Sequence, residues 1–118
     1  MLKEYVAGWK KKKADRKKRI REKLRTSRKL ARRCARLLHR DFEVDRVYLV
    51  GSTVQPERFH DRSDLDLVVE GLAPEDYFVA LKQVVSLLPE DLELDLIPME
   101  DLSPERSARV VEEGELLL

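Results

Sequence analysis

Residues 47–69 read VYLVGSTVQPERFHDRSDLDLVV, an apolar run closed by Gly51-Ser52, a polar stretch, and a second apolar run that carries Asp64 and Asp66. Side chains alternate faces along a strand, so the two carboxylates are expected on one side, with Leu65, Leu67 and Val69 on the other. One face is then core and the other a site. Carboxylates held about 4 Å apart repel by roughly 4 kcal/mol at an effective dielectric near 20, so the pair calls for a proton, a cationic side chain or a metal. A hard divalent cation that takes oxygen ligands, Mg²⁺ above all, meets that need. The Gly51-Ser52 turn supplies a complementary half: glycine lets the backbone approach a ligand, and N–H groups beside a hydroxyl suit phosphate oxygens. Turn and carboxylates together point to phosphoryl chemistry.

Outside this stretch the chain is electrically divided. Residues 1–40 hold 18 Lys and Arg against Glu4, Asp15 and Glu22, a balance of +15, while residues 41–118 hold six against 20 acids, a balance of −14. We expect residues 1–40 to form a basic N-terminal helical extension and residues 41–118 one compact domain, since 118 residues support a single modest core. Residues 1–13 show no clear period. From Asp15, however, Ile20, Leu24, Ser27, Ala31, Cys34 and Leu38 recur at steps of three and four, widened by Ala35 and Leu37. That spacing predicts a long amphipathic helix with a cationic outer face. The face is either simply solvated or a contact for polyphosphate or RNA, with Arg32, Arg33, Arg36 and Arg40 nearest the domain. The lone Cys34 falls on the apolar stripe as a small hydrophobe, and His39 near the helix end suits the dipole. No apolar run approaches the roughly 20 residues of a membrane span, so no membrane partner is expected and a cytoplasmic location is.

Further along, a first strand is expected at 47–50 and a short turn or helix capped by Ser52 or Thr53 follows. A polar loop over 57–63 then leads to the strand carrying Asp64. Gly71 to Pro74 breaks that strand and opens a helix whose apolar face is Phe78, Leu81, Val84, Val85 and Leu88, ending before Pro89. Residues 92–97 alternate, which puts Leu92, Leu94 and Leu96 inward and Glu93 and Asp95 on the site face. A last helix runs from Ser103-Pro104 to about Glu113, Gly114 stops it, and 115–118 is a candidate edge strand.

Taken one at a time these signals are common; their combination is specific. An apolar strand, Gly-Ser, 11 residues, Asp-apolar-Asp on a second strand, a helix, and a third Asp on a strand face resembles the signature of the polymerase-beta-type nucleotidyltransferase superfamily in its minimal form. The likeness covers roughly 42–118. It implies an α+β palm-like fold with a small mixed sheet of three to four strands packed with helices. It further implies that Gly51 and Ser52 hold a nucleoside triphosphate, ATP above others, and that Asp64, Asp66 and Asp95 bind a pair of Mg²⁺ ions, Asp95 also assisting deprotonation of the acceptor hydroxyl. Members often pair with a helical protein of the higher eukaryote and prokaryote nucleotide-binding type, as the antitoxin that adenylylates the toxin. Pro56, Glu57 and Arg58 stand where members often carry small or basic residues. Arg58 and Arg62 are candidate phosphate contacts and His60 an expected solvated neighbour. The competing reading is a non-catalytic module of the same fold whose basic helix binds RNA or an acidic partner protein; the oligomeric state is not encoded in any residue we can name.

Overall fold

The computed structural model describes residues 2–54 and 64–118, apart from the side chains of residues 2–7, 9 and 52. Helix α1 (Leu2–Phe42) is followed by strand β1 (Arg46–Val50), a 3-10 turn (Gly51–Thr53), β2 (Leu65–Glu70), α2 (Tyr77–Val85), β3 (Leu94–Pro98), α3 (Pro104–Glu113) and β4 (Glu115–Leu116). The strands form one mixed sheet in the order β3-β2-β1-β4. β1 runs antiparallel to β2 and to β4, and β2 runs parallel to β3 across the α2 connection. The chain is thus α+β, with the palm-like arrangement expected.

Strand alternation sorts the sheet into two faces. Val47, Leu49, Leu65, Leu67, Val69 and Leu96 are buried together with Ala31, Cys34, Ala35 and Leu38 of α1 and Ala80 and Val84 of α2. Asp66, Val68, Asp95 and Ile97 take the alternate positions and face the other way. Helix α1 therefore has two regimes. Its residues from Ser27 onward are built into the core, whereas residues 10–19 are exposed throughout. Forty-one helical residues span about 62 Å at 1.5 Å each, close to the 63 Å long axis of the molecule. The helix stops where Glu43 adopts a left-handed φ of 55°, and the His39 ring donates from Nδ1 to the Val44 carbonyl at 3.0 Å, securing the chain reversal into β1. Burial pushes the Cys34 thiol up to about 11, so it stays protonated and packs as an apolar group.

Three local expectations are corrected. Phe78 and Val85 do not lie on the packed face of α2: they are 78% and 45% exposed, and Ala80 and Val84 fill the core instead. The reason is length, because a nine-residue helix laid against α1 buries a narrow stripe, and Tyr77 and Leu81 already flank it. Tyr77 also fixes the helix start by donating its hydroxyl to the Leu96 carbonyl at 2.6 Å. Strand β2 begins one residue after Asp64, and β3 begins at Leu94, two residues after Leu92, which is nevertheless buried in the core. The division of α1 predicts that Leu38→Ala costs about 2–5 kcal/mol in denaturant-unfolding free energy, whereas Lys17→Ala changes it by less than about 0.5 kcal/mol. Equal effects would contradict the packing described.

Candidate active site

The site is built where β1, β2 and β3 meet at one end of the sheet. Parallel pairing sets Asp66 beside Asp95, and antiparallel pairing sets Val50, the last residue before the turn, beside Asp66. Gly51 follows with φ +80°, and a Cβ built on it would fall 2.7 Å from Asp66 Oδ2. The left-handed φ disfavours any side chain here, and a Cβ would displace the Asp66 carboxylate, so the turn runs directly against Asp66. Its one-turn geometry is closed by Val54 N–H donating to the Gly51 carbonyl at 3.1 Å.

Asp66 carries the electrostatic signature of the site. It is half-buried, and its carboxyl is pushed up to about 6, first by desolvation, then by the charge of Asp95, a hydrogen bond shared with Asp95, and the charge of Asp64. Asp64 lies just outside the β2 ladder and is exposed. Among the described residues no three His, Cys, Asp or Glu side chains converge tightly enough to hold a metal ion between them. What the strands set in place is the Asp66–Asp95 pair, with Asp64 acting on it through charge. Of the other candidates, Ser52 occupies the centre of the turn and its hydroxyl lies outside the described atoms; Pro56, Glu57, Arg58, His60 and Arg62 lie outside the described residues altogether.

Two features escaped the sequence reading. Arg28 of α1 donates to the Thr53 carbonyl at 3.2 Å and pairs with Glu115 of β4, both partly buried, so the long helix ties the Gly51–Thr53 turn to the edge strand. Fully buried Thr53 has no partner for its Oγ1 among the described residues, and the turn is held through its backbone. Arg28 looked like one more cation of the basic face, and only its position one residue past the buried Ser27 hints at another role. The second feature is a cavity of about 250 Å³ between the carboxylate face and α3, walled by Val50, Gly51, Val68, Ile97 and Val110 and edged by Arg106 and Arg109. The i, i+3 spacing of those arginines put them on one helix face, but nothing in the sequence said that α3 folds over the site.

The nucleotidyltransferase domain family matches residues 27–117, which includes the core-packed half of α1. The chain belongs to that family. As a nucleotidyltransferase it shares its fold with solved structures of toxin–antitoxin pairs. One, a toxin–antitoxin with AMP-PNP, is 26% identical with a TM-score of 0.59 over 74% of this chain and 72% of that one. Another, MntA–HepT, is 21% identical with a TM-score of 0.56 over 77% and 71%. A third, the tri-AMPylated Shewanella oneidensis HEPN toxin in complex with MNT antitoxin, is 21% identical with a TM-score of 0.57 over 78% and 71%. No curated protein sequence matches this chain.

The crowding of carboxylates sets a pH signature. Because the Asp66 carboxyl is raised above its unfolded value, its cost is absent below about pH 4 and fully present above about pH 6. Asp66→Asn should therefore stabilise the metal-free protein at pH 7.5, by about 1 kcal/mol once solvent screening of a half-buried group is allowed for. The gain should fade as pH drops from 6 to 4. Urea unfolding of both proteins at pH 7.5 and pH 4 checks it, and a variant no more stable than wild type at pH 7.5 would contradict the pairing.

Proposed function

We propose that this nucleotidyltransferase transfers AMP from ATP to a hydroxyl of a helical partner protein, as the antitoxin of a toxin–antitoxin pair. The observation that carries the reading is the in-register Asp66–Asp95 pair set against the Gly51 turn. Support for the nucleotide comes from the AMP-PNP in the 26%-identical neighbour, and for the acceptor from the AMPylated HEPN toxin in the Shewanella complex.

In this reading Gly51 and Ser52 bring backbone N–H groups, and Ser52 a hydroxyl, to the triphosphate. Arg28 keeps that turn in place from behind. The cavity under α3 offers the nucleoside an apolar wall, and Arg106 and Arg109 offer cations to phosphate at its edge. The acceptor oxygen attacks the α-phosphorus, a P–O bond to the acceptor forms as the bond to pyrophosphate breaks, and the acceptor proton passes to Asp95, the exposed member of the pair. An all-oxygen, like-charged donor set suits a hard divalent cation, so the Asp66–Asp95 pair is assigned to hold Mg²⁺, with Asp64, which does not converge on the pair as a third ligand here, completing the set for two ions on the family pattern. Bound there, Mg²⁺ would supply charge neutralisation at the attacking and leaving oxygens. Among the described residues Asp95 is exposed beside the half-buried Asp66, which leaves its carboxylate open to an acceptor brought by a partner.

The test is transfer of label from α-labelled ATP, with Mg²⁺, to the protein co-purified with this chain from its host. Wild type should label the partner, Asp66→Ala should reduce the rate at least about 1000-fold, and Lys17→Ala should match wild type. Undiminished labelling by Asp66→Ala would overturn the assignment.

A further inference from the structure

The family match starts at residue 27 and leaves the exposed first half of α1 unexplained. Eight of the ten residues 10–19 are Lys or Arg, and they occupy every side of the helix. Along the packed half the cations narrow to a stripe. Arg21, Arg25, Lys29, Arg32 and Arg36 recur at three- and four-residue steps, all exposed, on the face opposite Ala31, Cys34 and Leu38. Arm and stripe are continuous over 27 residues, about 40 Å of helix.

We propose that this rail binds the phosphate backbone of a nucleic acid. A helix that docks on a protein carries an apolar stripe of anchors at i, i+3, i+4 and i+7, and residues 10–19 offer only Ala14. A cylinder charged on all sides instead fits a groove flanked by phosphates, where the binding energy comes from counterion release. Like charges at helical spacing repel within the arm, so a polyanion also stabilises the helix that binds it. Lys13 and Lys23 have interactions of their own and are left aside. The acids nearest the rail are Asp15 and Glu22 on the helix itself and Asp91, which lines a small hollow with Arg16, Arg19 and Lys23. They are too few to neutralise it. The stripe faces away from the sheet, and the carboxylates lie on the sheet's far side, so the bound nucleic acid is a tether and not the acceptor.

The full chain is titrated against a fluorescent RNA hairpin and a DNA duplex from 50 to 200 mM salt, with circular dichroism confirming helix content. The expected result is binding of at least one of them at 50 mM, falling about 1000-fold by 200 mM. The triple variants Lys10→Ala, Lys11→Ala, Lys12→Ala and Arg25→Ala, Arg32→Ala, Arg36→Ala should each lower the log–log salt slope on the duplex by about 3 and weaken binding at least about tenfold. The Lys→Arg version of the first triple and Arg46→Ala, away from the rail, should bind as wild type. Which probe binds more tightly identifies the ligand as RNA or DNA. No binding to either at 50 mM, a flat salt response, or triple variants that bind as wild type would each overturn the proposal. So would variants that lose only a protein partner, which would make the rail a protein-docking surface.

Discussion

Parallel pairing of β2 with β3 is the constraint on which the site depends, because it sets Asp66 and Asp95 side by side. Like charges directly opposite each other on neighbouring strands are an unfavourable arrangement, the more so where one of them, Asp66, is half-buried. The fold tolerates it by burying the opposite side of the same residues' neighbours: Leu65, Leu67 and Leu96 are in the core. The hydrophobic register that stabilises the sheet is therefore also what enforces the charge crowding. A one-residue slip of either strand would place an aspartate in the core and a leucine in the site, so register and chemistry cannot be lost separately. Gly51 adds the third side, its left-handed φ of +80° favouring glycine and its missing Cβ leaving the Asp66 carboxylate where it is.

Helix α1 joins this site to the rest of the molecule. Its second half is a core element, and Arg28 reaches from it to the Thr53 carbonyl and Glu115, linking helix, turn and edge strand through one guanidinium. A planar fork with several donors makes such a three-way tie possible where a lysine would not. The first half is a different object, an exposed cationic rod whose charge is opposite to that of the domain that carries it.

Much of this was legible from periodicity. Alternation in residues 64–69 and 92–97 puts Asp66 and Asp95 on one face, and steps of three and four put Ala31, Cys34 and Leu38 on one apolar stripe, but that this stripe belongs to the domain's own core, and not to an extension ending at residue 40, is visible only in the fold. Where the reading failed, the cause was information that pattern does not carry. Phe78 and Val85 were placed inside because they are apolar at helical spacing, but how wide a stripe α2 buries depends on the helix beside it. Arg28 was one cation among many until the tertiary fold gave it a carbonyl and a carboxylate. That Arg106 and Arg109 line a cavity beside the carboxylate face follows from where α3 packs, which no sequence pattern carries. Alternation extends the strand to Asp64, but the ladder starts one residue later, at Leu65.

The proposed cation site joins the Gly51 turn to two strands. Paramagnetic broadening of the backbone amide signals by Mn²⁺ tests it without reference to activity. Substoichiometric Mn²⁺ should erase the signals of Gly51, Asp66 and Asp95 first and together, and Asp66→Asn should abolish the effect. Broadening that begins instead at Glu100 and Asp101 or at Glu112 and Glu113, or that spreads evenly over the acidic surface, would contradict it.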